Sequence, residues 1–134
     1  MNKNLSKAKE LLCEGAALVI VTGDGVLTYN ERGVKSLLSV QSSLSGASVA
    51  DKVVGKAAAM MMVRGGVAEV YAEIISKPAL GVFLSHGTVC HYGTLVPNVI
   101  NRTNTGICPM EQAVLGVDDI DEAYGILIEK TGLK

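Results

Sequence analysis

The sequence predicts a three-layer α/β/α domain in which helices cover both faces of a mixed β-sheet. Ala16–Thr22 is a short, continuous apolar run rich in branched residues, which is typical of a strand buried on both faces. Predicted strands and helices alternate in the second half of the chain, which indicates parallel strands joined by crossover helices. Val49–Gly66 is apolar nearly all round, which is typical of a helix buried between a sheet and other elements.

Composition limits the class of protein. The 134 residues are interpreted as one domain spanning residues 1–134. The net charge is −1 and there is no Trp, so we predict no nucleic-acid partner. No apolar run reaches the roughly 20 residues of a membrane span, so we predict no membrane partner. The three cysteines form no CxxC motif, which suits a reducing compartment, and we expect a soluble cytoplasmic protein.

The first half of the chain predicts a helix followed by a β-hairpin. Residues 4–14 place leucines at helical spacing, and Gly15 follows them as a helix-ending residue. The buried strand Ala16–Thr22 then turns at Gly23-Asp24-Gly25, and Val26–Tyr29 returns as its paired strand. The segment Val34–Leu44 fits either a short helix or an ordered loop.

The second half is organised around the predicted central helix. Ser48 and Asp51 have the S-x-x-D spacing of a capping box, so we expect this helix to begin there and to end at Gly65-Gly66. Met60–Met62 are interpreted as core residues, with an adaptable contact surface as the alternative. The segments that follow are predicted as strand Val67–Ser76, helix Lys77–His86, strand Thr88–Val96 broken at Gly93, polar connection Pro97–Ile107, a helix opened by Cys108-Pro109, and helix Asp118–Leu133.

Three stretches carry a resemblance to a known family. They read ADKVVGKAAAMM, EVYAEIISKPAL and LVPNVINRTNTGICPMEQAV, and together with the hairpin they cover most of the chain. In these stretches the chain resembles domain of unknown function 1893, a prokaryotic family. The order of elements also looks like the cytidine-deaminase-like fold. The resemblance implies that fold and leaves the activity open.

The zinc site of the deaminases does not carry over onto this sequence. Zinc deaminases need a His or Cys ligand, two further cysteines and a proton-shuttling glutamate. In the resemblance, the His-Ala-Glu signature falls on Asp51-Lys52-Val53, and the Pro-Cys-x-x-Cys signature falls on the segment 78–82, PALGV. Since zinc takes three or four protein ligands, we predict no metal site, no cofactor and no zinc-dependent deamination.

Polar residues gather where ligands bind in open α/β sheets, beyond the carboxyl ends of the parallel strands. Several helix starts are expected to meet there, and their free N–H groups favour an anion. We therefore predict a small-molecule ligand, nucleoside- or nucleotide-like and anionic. The candidate ligand-binding residues are Asp51, Lys52, Ser76, Lys77, Asn101, Arg102, Thr105, Cys108 and Glu111.

Each candidate also has a simpler interpretation, as a helix cap, a solvated side chain or a packed thiol. Two other functions stay open at this stage. One is an enzyme of unassigned reaction in which Asp51, Cys108 and Glu111 are the catalytic candidates. The other is an interaction module that works as a homo-oligomer, which its mass in solution would test.

Overall fold

A computed structural model describes residues 1–31, 34–99 and 109–132. The elements in chain order are α1 (Lys3–Cys13), β1 (Leu18–Thr22), β2 (Gly25–Tyr29), α2 (Val34–Ser39), β3 (Ser48–Val54), α3 (Lys56–Gly65), β4 (Glu69–Ser76), α4 (Lys77–His86), β5 (Val89–Val96), α5 (Pro109–Ala113) and α6 (Ile120–Thr131). A single 3₁₀ turn at Gln41–Ser43 follows α2. The segment Val34–Leu44, for which a helix and a loop were both open, therefore contains a short α-helix and a 3₁₀ turn.

The five strands form one mixed sheet in the order β2-β1-β3-β4-β5. β1 pairs antiparallel with both β2 and β3, whereas β3–β4 and β4–β5 are parallel. The predicted hairpin, with its antiparallel edge strand, is confirmed. The α/β class is confirmed as well, because helices lie on both sides of this sheet. The likeness to cytidine deaminases stays a prediction.

The two faces of the sheet carry cores of different size. Helix α1 packs on β1, β3 and β4 and encloses a small cluster that includes Leu12, Val19 and Ala50. The opposite face lies under α2, α3, α4 and α6 and holds the main core. Met60, Met61 and Met62 are at most 1% exposed there, so their interpretation as core residues is confirmed. Among the described residues, no helix is long and apolar enough to cross a membrane.

The prediction for the start of the central helix was wrong. Residues Ser48–Val54 form β3, and the helix begins only at Lys56, after Gly55 as its N-cap. The branched residues Val49, Val53 and Val54 favour a strand, whereas the alanines and methionines after Gly55 favour a helix. The S-x-x-D spacing of Ser48 and Asp51 is therefore not a capping box, because both residues lie inside β3.

The later elements were predicted more closely. Strand β4, helix α4 and helix α6 match their predicted segments, and α5 has Pro109 as its first residue. Gly93 does not break β5, which runs through it. A Cβ at Gly93 would lie 2.9 Å from the Glu73 carbonyl oxygen, so the glycine allows the close approach of β4.

Candidate functional site

The starts of α3 and α4 lie side by side at one edge of the sheet. Val54, the last residue of β3, is the register partner of Ile75, next to the end of β4. Each parallel strand leads directly into its helix, and the two helices pack against each other. The predicted convergence of helix starts beyond the carboxyl ends of parallel strands is confirmed for this pair.

The start of α3 is capped by a side chain from another helix. The Glu111 carboxylate, on α5, accepts a hydrogen bond from the Lys56 N–H at 2.6 Å and from the Ala57 N–H at 3.1 Å. Glu111 is only 7% exposed. Two of the N–H groups that a helix start leaves unpaired are therefore bonded within the protein.

Gly55 makes room for this cap. An added Cβ at position 55 would lie 1.9 Å from Glu111 Oε1, which is an overlap of the two atoms. The backbone at Gly55, with φ −100° and ψ 179°, suits any residue. The need for glycine here is therefore steric, and it depends on the carboxylate being in place.

Burial and hydrogen bonding act in opposite directions on this carboxyl group. Burial removes water from the charged form and raises the pKa of Glu111 above its ordinary value of 4.5. The hydrogen bonds from Ala57 and Lys56 and the Lys56 ammonium lower the pKa, but less strongly. Proton uptake on Glu111 is therefore easier in the folded protein than in the unfolded chain.

Lys56 is held by the segment that carries Glu111. Its backbone N–H bonds Glu111, and its Nζ donates a hydrogen bond to the Leu115 carbonyl oxygen at 3.0 Å. Asp118 Oδ1 lies 3.9 Å from the same Nζ. The residue is 8% exposed, which is rare for a lysine, so its ammonium is a cation fixed at a defined place.

A cleft of about 400 Å³ opens between α3 and α4 at this lysine. Its volume lies within the usual range for small-molecule sites, roughly 300–1,000 Å³. The lining residues come from α3, from one stripe of α4 and from the connection before α6: Lys56, Met60, Pro78, Gly81, Val82, Ser85, His86 and Asp118. The cleft thus combines small and apolar residues with the imidazole of His86 and with the Lys56 ammonium, which has the Asp118 carboxylate 3.9 Å away.

Comparisons with known proteins identify the family of the chain. The sequence profile of the family described as TM1506, a domain of unknown function (DUF1893), matches residues 6–131. The chain belongs to the DUF1893 family. A solved DUF1893 family protein (TM1506) from Thermotoga maritima is 30% identical, with a TM-score of 0.86 over 97% of this chain and 92% of that chain. A search of the curated proteins found no match.

The structure of this DUF1893 protein separates the predicted site residues. Asp51 is 3% exposed in β3, and its register partners Leu18 and Ala72 belong to the main core, so it shares that face of the sheet. Lys52 is half-buried on the same strand. Neither residue is at a helix start, because the helix begins after Gly55.

Ser76 and Lys77 lie where they were predicted, at the start of α4. Ser76 is buried, and its Oγ accepts a hydrogen bond from the Ala79 N–H at 3.2 Å. Lys77 is exposed and does not line the cleft described above. Ser76 is therefore the N-cap of α4, a position at which serine is strongly preferred.

Four predicted site residues of the DUF1893 chain, Asn101, Arg102, Thr105 and Cys108, lie outside the described residues. Within residues 1–31, 34–99 and 109–132, no group of three or more His, Cys, Asp or Glu side chains is arranged to hold a metal ion.

Sequence reasoning missed Lys56 and His86 as cleft residues. Gly55 carries a signal that could have found Lys56, because a strand, a glycine and a run of helix-forming residues place Lys56 in the first helical turn. His86 was predicted as the last residue of the helix Lys77–His86, and that position is confirmed. Its place in the cleft follows from the stripe along α4, which can be recognised only when α3 is packed beside it.

Proposed function

We propose that this protein binds a small anionic ligand of the nucleoside or nucleotide class in the cleft between α3 and α4, and that it does not carry out zinc-dependent deamination. The observation that carries the proposal is Lys56. A lysine that is 8% exposed and lines a cleft of about 400 Å³ supplies a positive charge to it, and the Asp118 carboxylate, 3.9 Å away, is exposed to solvent and can turn aside for an anion. An anionic group with an apolar, planar body matches that lining.

The anion is held by a side chain in this proposal, because the neighbouring helix starts are largely occupied. Glu111 takes the N–H groups of Lys56 and Ala57, and Ser76 takes that of Ala79. Pro78 has no N–H group. The Lys56 ammonium has three hydrogens. It donates one hydrogen bond at 3.0 Å and faces Asp118 at the longer distance of 3.9 Å.

A pair of glycines allows a test that does not disturb the core. Gly81 and Gly125 both lie within helices, are exposed, and have no atom within 4 Å of an added Cβ. Gly81 lines the cleft and Gly125 does not. Gly81→Leu should fill the cleft and abolish binding, whereas Gly125→Leu should leave binding unchanged. Both should be at least as stable as the wild type, because leucine favours a helix by roughly 0.8–1 kcal/mol over glycine.

The measurement is isothermal titration calorimetry with AMP, ADP, adenosine and inorganic phosphate. We expect the nucleotides to bind more tightly than adenosine, and Lys56→Met to lower their affinity while the exposed-lysine control Lys130→Met does not. No heat of binding at millimolar ligand would refute the proposal. Equal binding to the Gly81→Leu variant and the wild type would also refute it.

The enzyme alternative gains no support from Glu111, whose two carboxylate oxygens bond backbone N–H groups. A general base must instead reach a substrate proton. Asp51 is buried in β3, and Cys108 lies outside the described residues. The roles of Asn101, Arg102, Thr105 and Cys108 in ligand binding stay predictions, as do cytoplasmic localisation and the homo-oligomer.

A further inference from the structure

The two ends of the cleft differ, because of the way α3 packs against α4. Because β3 and β4 are parallel, both helices leave the same edge of the sheet and run the same way. Lys56 therefore lies beside the start of α4, near Pro78. His86 is the last residue of α4, about 12 Å further along the axis at the rise per residue of an α-helix.

The hydrogen bond of His86 fixes which of its nitrogens can serve a ligand. Nδ1 lies 2.9 Å from the Val82 carbonyl oxygen, and a carbonyl oxygen can only accept. Nδ1 therefore carries the hydrogen. In the neutral ring Nε2 is then a hydrogen-bond acceptor. His86 is exposed and lines the cleft, so a ligand that reaches its Nε2 meets an acceptor there, whereas at Lys56 it meets a donor with the Asp118 carboxylate 3.9 Å away.

The stretch of α4 between these two ends is suited to an apolar body. Gly81 and Val82 lie three and four residues after Pro78, and Ser85 lies four and three residues after them, which is the spacing of a single helix face. Met60 lines the α3 side, one turn after Lys56. Gly81 has no side chain, so a flat ring can lie close to the α4 backbone.

We propose that the cleft selects ligands with an anionic group at Lys56 and an N–H donor at His86 Nε2, which is the pattern of a nucleoside monophosphate whose base carries an amino group. This inference rests on the proposed function, to which it adds the orientation of the ligand in the cleft and a preference among bases. The amino group of such a base donates to Nε2. A base with a carbonyl oxygen at the same position brings two acceptors together, and the interaction is lost.

The test compares AMP with IMP, which has an oxo group in place of the 6-amino group. Titration at pH 8 of the wild type should show AMP binding about tenfold more tightly than IMP, the cost of one unmade hydrogen bond. His86→Phe keeps a ring but lacks the acceptor nitrogen, and in this variant the two affinities should become equal. ¹⁵N spectra of the imidazole should show an unprotonated Nε2 that shifts when AMP is added.

Each other outcome identifies which idea has failed. Equal affinities in the wild type, a preference that persists in His86→Phe, or a protonated Nε2 in the neutral ring would overturn the base preference. The α3–α4 cleft would still stand as a nucleotide site in those cases. Binding of neither nucleotide, or binding that Gly81→Leu leaves unchanged, would overturn the proposed function and this inference with it.

Discussion

Replacing Gly55 by alanine should expel Glu111 from the start of α3. The added Cβ would lie 1.9 Å from Glu111 Oε1, so the carboxylate must leave and both of its hydrogen bonds are lost. Hydrogen bonds to a charged group contribute about 1.5–3 kcal/mol each. Part of that loss is offset because the expelled carboxylate regains water. We expect Gly55→Ala to lower the free energy of unfolding by about 2 kcal/mol.

The same substitution should cost less once the carboxylate has been removed. In a Glu111→Ala background the overlap is gone, and what is left is the lower preference of an N-cap for alanine than for glycine, roughly 0.5–1 kcal/mol. The double-mutant cycle should therefore give a coupling energy of about 1–1.5 kcal/mol. Urea unfolding of the wild type, the two single variants and the double variant measures it.

Gly125→Ala is the matched control for this cycle. It lies within α6, has no atom within 4 Å of its added Cβ, and should stabilise the protein by about 1 kcal/mol in both backgrounds. A Gly55→Ala cost that is the same with and without Glu111 would refute the reasoning. It would mean that Glu111 does not occupy the start of α3.

Two further predictions follow from the raised pKa values. Burial raises the pKa of Glu111, so the free energy of unfolding of the wild type, compared with that of Glu111→Gln, should be greatest below pH 4.5. It should decline as the pH rises through the raised pKa. Urea unfolding of both proteins at several pH values measures this difference. In a Cys108→Ser variant at pH 8, the exposed Cys13 should react with a thiol reagent first. Burial raises the pKa of Cys90 from 9.0 to about 11, which lowers its thiolate fraction at pH 8. Cys90 should therefore react about a hundredfold more slowly in the folded protein than after urea has unfolded it.

The elements that sequence reasoning identified correctly are those with strong local signals. The hairpin has its glycine turn, α4 has Ser76 and Pro78 at its start, and α1 has leucines on one face. Each of these signals acts within a few residues and needs no partner from elsewhere in the chain. Their agreement with the structure therefore follows from local chemistry.

The prediction of where the central helix starts failed for a physical reason. Val49–Val54 and the following alanines and methionines form one apolar run, and periodicity alone cannot tell a buried strand from a buried helix. Gly55 is the boundary, but a glycine within an apolar run is also tolerated inside a helix. The error placed the candidate lysine at Lys52 in β3, four residues before Lys56 at the start of α3.

The contacts of Glu111 could not be predicted from the local sequence. Its spacing from Cys108 suggests a carboxylate that reaches back to its own helix, whereas its partners are Lys56 and Ala57, more than fifty residues away. No pattern within α5 encodes that contact. The space at Gly55 and the charge at Glu111 have meaning only together, once the sheet has placed α3 beside α5.

This internal cap also affects the ligand recognition that we propose for the cleft. A free helix start would bind an anion through backbone N–H groups, which do not discriminate strongly among phosphates and carboxylates. With Glu111 in place, an anion at α3 must instead meet the Lys56 ammonium, whose position depends on Leu115 in the segment after α5. In the proposed function, a carboxylate that occupies the helix start therefore makes anion recognition at the neighbouring lysine more selective. On that proposal, Glu111→Ala should allow a wider range of anions to bind at this edge of the sheet, whereas Lys56→Met should weaken anion binding.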